Sequence, residues 1–427
     1  MAVDVGPKNA WRLETPGHEG WERTARPDDP NKYFMVSTDN HANEPFTFLR
    51  TYTEPEYHDR LPHVETRDDG SQFLITEGNR PSLVRPGKDW KKKGQVAQKQ
   101  SFESKKDAQP YSGRMEEEDK LRNMVGRTVE DRDRDNALDG VDAELIFPNK
   151  GLLCYATPDP VFAMAMCRAW NRWALDEFGD HFDRMLPMAM VCTGDLEGTM
   201  AEIVWAKENG FKGLCLPNKP IYGVQQYGEL QYNDPSFTPL WELVEDVELP
   251  LTFHVSTGKD PRAVGGNGGA IINYVVHSME TTIEPLTQLI ASGVFERHPT
   301  ITAGTVESGV GWVPWLLEAM DHAYRAHHFW VRPVIPELPS HYYRRHCFST
   351  FQVDEVGLDV VEQFGLVDNF MWANDYPHHE GTWPHSAEAI ERTMGGLSDE
   401  SRAKILGLNA AKVFNIDIPE RYGQTAD

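Results

Sequence analysis

Carboxylate and imidazole side chains stand at the ends of several apolar, strand-like runs of this sequence. These residues are Asp39, His41, His254, Glu307 and Asp375. Pro377, which cannot continue a strand, and then His378 follow the last of them closely. Imidazoles combined with carboxylates are the ligands that Zn, Mn or Fe ions accept in sites open to water. The pattern therefore predicts a divalent metal centre, provided that the strand ends meet in space.

The predicted site residues divide into metal ligands and proton-transfer groups. The predicted ligands are Asp39, His41, His254, Glu307, Asp375 and His277. The predicted catalytic residues are Asp375, Glu307 and His378. A bound ion lowers the pKa of its water towards about 7, and Asp375 can take that proton and return it to a leaving group. One ion is the first hypothesis, and a second ion bridged by Glu307 is the alternative.

Each of these residues, taken singly, also fits a structural role. His254 fits a hydrogen-bonded core residue, Glu307 fits a salt bridge or helix cap, and Asp375 fits a helix N-cap. Their recurrence at the ends of several strands favours the metal centre, because chemistry in (β/α)8 barrels collects at the carboxyl ends of the strands.

The elements that must position these residues alternate regularly along the chain. The predicted strands are 33–39, 143–147, 185–191, 213–216, 249–254, 301–306, 347–350 and 370–374. Amphipathic helices lie between them, and the strands are continuous apolar runs suited to burial on both faces. This rhythm predicts an α/β fold, a (β/α)8 TIM-type barrel with a long insertion after the first strand and C-terminal helices. A doubly wound sheet would require a Gly-rich turn after an early strand, and the sequence has none.

Composition changes along the chain suggest how it is divided. Residues 1–32 are rich in Pro, Gly and charge and predict an N-terminal arm, and residues 418–427 form a tail. The barrel domain is predicted to span 33–417. It includes an insertion at 50–127 with few apolar residues, predicted to be a lid or an oligomer arm, with disorder as the alternative for 86–110.

Charge and cysteine content exclude several classes of protein. The 427 residues include 66 acidic and 42 basic ones, giving a formal charge of −24, which argues against nucleic acid or an anionic membrane as the partner. Neither a long apolar run nor a secretory signal is evident, so we expect a cytoplasmic enzyme with a small-molecule substrate. Five scattered cysteines without a CxxC motif predict neither a disulfide framework nor a zinc knuckle.

Several motifs in combination resemble the amidohydrolase-related family, in its branch of aminocarboxymuconate-semialdehyde, resorcylate and carboxyvanillate decarboxylases. The motifs are Asp39-x-His41, Phe253-His254, Gly293-Val-Phe-Glu-Arg-His-Pro299, Glu307-x-Gly309-x-x-Trp312-x-Pro314, Asp375-Tyr-Pro-His378 and the stretch from Ile405 to Phe414. The resemblance spans about residues 33–417. It implies a (β/α)8 barrel, a homodimer and a divalent metal held by Asp39, His41, His254 and Asp375. It also implies metal-dependent hydrolysis or nonoxidative decarboxylation of a small carbonyl compound.

Two departures from the family pattern leave an alternative open. Glu307 stands where the decarboxylases carry a histidine, and Asp39 stands where the hydrolases usually have one. The added carboxylates suit a more anionic centre. The alternative function is that of a nonheme diiron monooxygenase hydroxylating a bulky, terpenoid-like substrate on the same barrel, which a branch of this family resembles. A barrel that only binds its ligand is a third hypothesis, which the full set of ligand positions disfavours.

Overall fold

A computed structural model describes residues 21–45, 47–85, 125–220, 231–257, 268–327, 330, 334–378 and 381–423 of the chain. Parallel strands alternate with helices along it. The strands are β1 (Val36–His41), β2 (His63–Thr66), β3 (Gln72–Ile75), β4 (Ser82–Arg85), β5 (Ala143–Phe147), β6 (Met185–Pro187), β7 (Ala189–Met190), β8 (Leu214–Leu216), β9 (Leu251–His254), β10 (Ala303–Val306), β11 (Cys347–Phe351) and β12 (Phe370–Trp372).

The parallel strands form two hydrogen-bonded sheets. Strands β1, β5 and β6 make one, and β7 to β12 make the other in the order β12-β11-β10-β9-β8-β7. The chain itself joins them, because β6 and β7 are one predicted strand that is interrupted at Met188. The order therefore follows the chain through all eight predicted strand positions, as a barrel requires.

The first and last strands meet without a ladder. Among the described residues, β1 and β12 are joined instead by a side-chain bond from Thr38 Oγ1 to Trp372 O (2.9 Å) and a backbone bond from His41 N to Tyr376 O (2.7 Å). The hydrogen-bonded barrel is thus not closed at this junction. We call it the β1–β12 seam, formed by residues 37–41 and 372–376.

Helices cover the parallel strands, and their ends follow local sequence signals. The α-helices are Phe48–Tyr52, Val129–Asp139, Pro160–Phe178, Leu196–Glu208, Thr238–Val247, Gly269–Ile272, Glu280–Ala291, Val294–Arg297, Val313–Ala326, Pro339–His346, Glu355–Val360, Ser386–Met394, Asp399–Ala403 and Asn409–Phe414. Two π-helical segments are Asn273–Met279 and Lys404–Leu408. Thr128 caps one helix by accepting a bond from Asp131 N, and Gly140 ends it with φ of 83°.

Burial of both strand faces stabilises this arrangement of parallel strands between covering helices. The described side chains of β1, β5 and β9 to β12 are buried throughout, so each strand packs apolar side chains on both faces. The largest fully buried side chains include Trp170, Trp241 and Trp372, which belong to two covering helices and the last strand. All five cysteines are buried and free. None of the described helices is long and apolar enough to cross a membrane.

Part of the insertion has regular structure. Strands β2, β3 and β4 form a three-stranded antiparallel sheet within residues 50–127, where the sequence predicted no regular structure. The described side chains of β2 are exposed, whereas Phe73 in β3 is buried, so the strands lack the alternation by which a half-buried sheet is recognised. Residues 86–124, including the predicted disordered stretch, lie outside the described residues, as do 1–20 of the arm and 424–427 of the tail.

Candidate metal centre

The described structure brings most of the predicted ligands to one place. One ligand atom from each of Asp39, His41, His254 and Glu307 lies within 4.8 Å of the others. A second group, His41, Asp375 and His378, meets the same limit and shares His41 with the first. These residues come from β1, from the ends of β9 and β10, and from the segment after β12. The carboxyl ends of the parallel strands therefore converge on one cluster.

His277 is the predicted ligand that falls outside both groups. It lies in the π-helical segment Asn273–Met279, and its Nδ1 is 3.1 Å from Asn273 Oδ1 in the same segment. The sequence pattern placed His277 just before a helix beginning at about 278, whereas helical structure begins at Gly269. The ring therefore pairs within its own segment.

Two imidazoles and one carboxylate form the centre of the cluster. His41 Nε2 lies 3.2 Å from His254 Nε2. Asp39 Oδ1 lies 3.5 Å from the first of these nitrogens and 3.2 Å from the second. Glu307 Oε2 is 3.6 Å from His254 Nε2, and Asp375 Oδ1 is 3.7 Å from His41 Nε2. Both imidazoles are buried, as are all three carboxylates.

The outer nitrogens of the two rings set their tautomers. His41 Nδ1 is 3.1 Å from the carbonyl oxygen of Pro148, and His254 Nδ1 is 2.7 Å from that of Val255. A carbonyl only accepts, so each Nδ1 carries a hydrogen and the two Nε2 atoms face each other across the centre of the cluster. A proton on His254 or a metal cation can occupy the gap between these two nitrogens. Backbone carbonyls that orient ligating histidines in this way are typical of metal sites, and the residues present fit a divalent ion.

The electrostatics of the cluster suit the same occupant. Burial, together with nearby His378, lowers the pKa of His41 to about 3, so this ring is neutral at neutral pH. Burial opposes ionisation of Asp39, but His254 and His41 hold its pKa below the ordinary value. Burial and the charge of Asp375 raise the pKa of Glu307 well above its usual range. Burial lowers the pKa of His254, but Asp39 and Glu307 outweigh it and raise that pKa above its ordinary value. A neutral His41 beside an ionised Asp39 is ready to bind a metal ion, and binding of the ion would favour the deprotonated forms of His254 and Glu307 as well.

The backbone bends where two of the carboxylates enter the cluster. Glu307 has φ of 60° and Asp375 has φ of 53°, a left-handed conformation that costs most residues about 1–2 kcal/mol. The amide of Glu307 donates to Thr350 Oγ1 (3.1 Å), which holds the bend just beyond β10. Strained residues of this kind cluster at functional sites. The bends turn both side chains away from the alternating directions of a regular strand. The period of the apolar residues cannot predict such a turn.

Two further residues reach the cluster without having been predicted. Gln352 Nε2 donates to Asp39 Oδ2 (3.0 Å), and Tyr274 Oη donates to Glu307 Oε1 (3.4 Å). Gln352 directly follows β11, so its position at a strand end is the signal that could have identified it. An amide carries no titratable group, so it does not stand out among carboxylates and imidazoles.

Known proteins of similar sequence and structure share one enzyme family. A profile of the family described as Amidohydrolase matches residues 139–416. A gamma-resorcylate decarboxylase from Rhizobium sp. (strain MTP-10005) is 24% identical over 281 residues, which cover 61% of this chain and 80% of that protein.

Solved structures show the same fold over almost the whole chain. An amidohydrolase from Mycobacterium avium subsp. paratuberculosis K-10 has a TM-score of 0.68 at 19% identity, covering 90% of this chain and 99% of that one. A dihydroxybenzoic acid decarboxylase from Polaromonas sp. JS666, with bound manganese and the inhibitor 2-nitroresorcinol, has a TM-score of 0.59 at 16% identity and covers 91% and 99%. These similarities are to the fold and leave the reaction of this chain to be argued from its own residues.

Proposed function

Because this chain belongs to the amidohydrolase family of metal-dependent enzymes, we propose that it is a nonoxidative decarboxylase of a small hydroxylated aromatic acid. The observation that carries the proposal is the pair of imidazoles whose Nε2 atoms face each other at 3.2 Å between buried carboxylates. The gamma-resorcylate decarboxylase among its relatives supports the class of reaction.

The metal site of the proposed enzyme uses the predicted residues. Asp39, His41, His254 and Asp375 would hold a divalent ion, with Glu307 beside them. Manganese is one candidate, because the dihydroxybenzoic acid decarboxylase of similar fold binds it. When bound, the ion supplies positive charge that orients and polarises the substrate oxygens.

The contacts of Asp375 support a role in moving the proton that decarboxylation requires. Its Oδ1 lies 3.1 Å from Nδ1 of His378, whose side chain is 25% exposed whereas Asp375 is buried. His378 therefore connects the buried carboxyl group with solvent. In the proposed reaction Asp375 gives a proton to the ring carbon that bears the carboxylate. The carbon–carbon bond then breaks, its electron pair returns to the ring, CO2 leaves, and Asp375 regains a proton through His378.

The other functions considered from the sequence have less support. Hydrolysis of a small carbonyl compound uses the same ligands and remains the alternative within the family. The diiron monooxygenase receives no support from the relatives described above, which are decarboxylases and an amidohydrolase. The homodimer, the cytoplasmic location and the lid or oligomer arm at 50–127 remain predictions.

A substrate panel with defined metal content tests the proposed function. Protein stripped of metal and reloaded with manganese or zinc is incubated with 2,6-dihydroxybenzoate, with its dihydroxy isomers and with monohydroxybenzoates, and CO2 release is measured. We expect one equivalent of CO2 per aromatic acid consumed, without oxygen uptake, and no turnover by metal-free protein. Cleavage of esters or amides without CO2 release would support hydrolysis. Two bound irons with oxygen-dependent turnover would support the oxygenase instead.

A further inference from the structure

A buried arginine lies directly behind the metal centre. Arg132, on the helix Val129–Asp139, is 0% exposed. Its Nε donates to Glu144 Oε1 (2.8 Å) and its Nη2 donates to Glu144 Oε2, a bidentate pair inside the protein. Its Nη1 donates to the backbone carbonyl of His41 at 2.8 Å. One guanidinium group thus binds both strand β5 and a predicted metal ligand.

The same ion pair reaches the segment that carries Asp375. Asn40 donates from Nδ2 to Glu144 Oε2, and its Oδ1 accepts the amide of Tyr376 (3.0 Å). The carbonyl of Tyr376 accepts the amide of His41 (2.7 Å). Arg132 also lies over the Tyr376 ring, with Cζ 5.3 Å from the ring centroid. Both sides of the β1–β12 seam are therefore attached to the Arg132–Glu144 pair.

The Arg132–Glu144 pair lies at the β1–β12 seam, where it contacts the main chain of a predicted metal ligand. Across the seam, the amide of His41 donates to the carbonyl of Tyr376, and its own carbonyl accepts from Arg132. A buried ion pair by itself is weak evidence for stability, since apolar replacements are often neutral. Held by Arg132, however, the main chain at His41 is fixed where its ring must meet Asp39 and His254.

We propose that Arg132 is a positioning residue of the metal centre, acting through the main chain of His41 and through Asn40 and Tyr376. The inference rests on the proposed metal site. Loss of the guanidinium group leaves the ligand side chains unchanged. It removes the bonds that hold the β1–β12 seam, which sets the distances between the ligand atoms. We expect metal affinity to fall about 10- to 100-fold, as for other groups that orient metal ligands.

The test compares variants by metal affinity rather than by activity alone. Arg132→Met would leave the carboxylate of Glu144 buried without its partner, so the main variant is Arg132→Met with Glu144→Gln, which removes both charges and keeps an acceptor for Asn40. The matched control is Arg402→Met, which also carries Asp399→Asn because Arg402 Nη2 donates to Asp399 Oδ1 (3.2 Å). Arg402 is also fully buried and donates to the carbonyls of Met394 and Leu397, away from the cluster.

Manganese and zinc affinities are measured by competition with a chromophoric chelator, and the visible spectrum of cobalt-loaded protein reports the ligand geometry. The proposal expects weaker binding and an altered cobalt spectrum in the Arg132 double variant, with a metal-free Tm close to that of the Arg402 control. Wild-type affinity and spectrum in a folded Arg132 double variant would overturn it, as would an equal loss of affinity in the Arg402 control. Should the Arg132 double variant not fold, Arg132→Lys replaces it, with the same two outcomes. A wild-type protein that binds no divalent metal would instead refute the proposed function.

Discussion

Asp375 combines three properties that rarely occur together in one side chain. It is fully buried, it has φ of 53°, and its Oδ1 lies within 3.7 Å of His41 and 3.1 Å of His378. Burial of a carboxyl group in a left-handed backbone conformation is unfavourable twice over, through desolvation and through local strain. Such a residue is explained by function rather than by stability.

Replacement of Asp375 by Asn separates these roles. Asn tolerates the left-handed conformation and has the same shape, but it can neither deliver the proton nor carry negative charge. We expect a loss of turnover of about 100- to 10,000-fold and weaker metal retention, with little change in the Tm of the metal-free protein. Turnover, bound metal and Tm are measured together.

Asp375→Ala is the matched comparison. It should lose as much turnover, and it should also be less stable than Asp375→Asn by about 1 kcal/mol, because alanine pays the left-handed strain. Cooperative unfolding lost in the Asn variant would mark Asp375 as a structural residue and contradict this assignment.

Gln352 fixes one oxygen of Asp39 and should therefore matter for metal binding. Its amide holds Oδ2 at 3.0 Å, which leaves Oδ1 to face His41 and His254. Gln352→Met keeps the length of the side chain and removes the donor, so we expect metal affinity to fall about tenfold. Chelator competition measures the change, with Gln363→Met at an exposed position as the control. Unchanged affinity would show that Asp39 is held in place without the amide.

Strands and helices were predictable where a single segment carries its own signal. The strand Ala143–Phe147 has the bounds that its apolar pattern predicts. The amphipathic helix Pro160–Phe178 begins after Asp159, whose side chain accepts bonds from Val161 N and Phe162 N. Strand β1 ends two residues beyond its predicted end, because His41 still pairs with Phe147. The sheet of β2 to β4 was missed because its strands lack a clear alternation of buried and exposed residues. The bend at Glu307 was missed because Thr350, which accepts its amide hydrogen, is distant in sequence.

Most of the candidate site was predictable because its residues stand at the ends of predicted strands. Titratable residues at strand ends are visible in the sequence, and the parallel order of the strands brings Asp39, His254 and Glu307 together. The position of His277 outside the cluster could not be predicted from the sequence. Its ring contacts Asn273 within a π-helical segment, and local helix propensity does not reveal such a segment. Arg132 was invisible because its role is defined only by the carbonyl that it reaches.

Asp139 gives the helix behind the site a pH-dependent contact with two other elements. It ends the helix Val129–Asp139 and accepts bonds from the amide of Ser386 (3.0 Å) and from Asn374 Nδ2 (2.8 Å). Burial raises the pKa of Asp139 to about 7, although these bonds oppose the rise. In the unfolded chain this carboxyl group has a pKa of about 3.9. Folding is therefore accompanied by uptake of a proton at pH values between the unfolded and folded pKa values.

The sign of the effect follows from that uptake. The favourable contribution of protonated Asp139 is complete below about pH 4 and is lost as pH rises through about 7. Between those limits we expect the wild-type free energy of unfolding to fall relative to that of Asp139→Asn, measured by urea unfolding across the range. Asp131→Asn, at the exposed start of the same helix, is the control. A constant difference between wild type and Asp139→Asn would contradict the assignment.

At the scale of the whole molecule, the metal centre joins distant parts of the chain. Its ligands come from β1, β9, β10 and the segment after β12, and the chain as a whole carries a formal charge of −24. Burial, together with the charges of Asp375 and Asp39, raises the pKa of Glu307 in the absence of a cation. A divalent ion that binds only the folded state should therefore stabilise the entire barrel rather than one loop.

We expect removal of metal to lower Tm and reloading to restore it. With free metal at 100 times its dissociation constant, the free energy of unfolding should rise by about 2.7 kcal/mol. Calorimetry of metal-free and reloaded protein measures the change in Tm. The variant His254→Gln lacks one predicted metal ligand, so it should lose most of the metal-dependent shift in Tm. Because the ligands span the first and last strands, the shift should appear as one cooperative transition. A metal-dependent change confined to a minor early transition would place the ion outside the barrel core and contradict the convergence of these strands on one site.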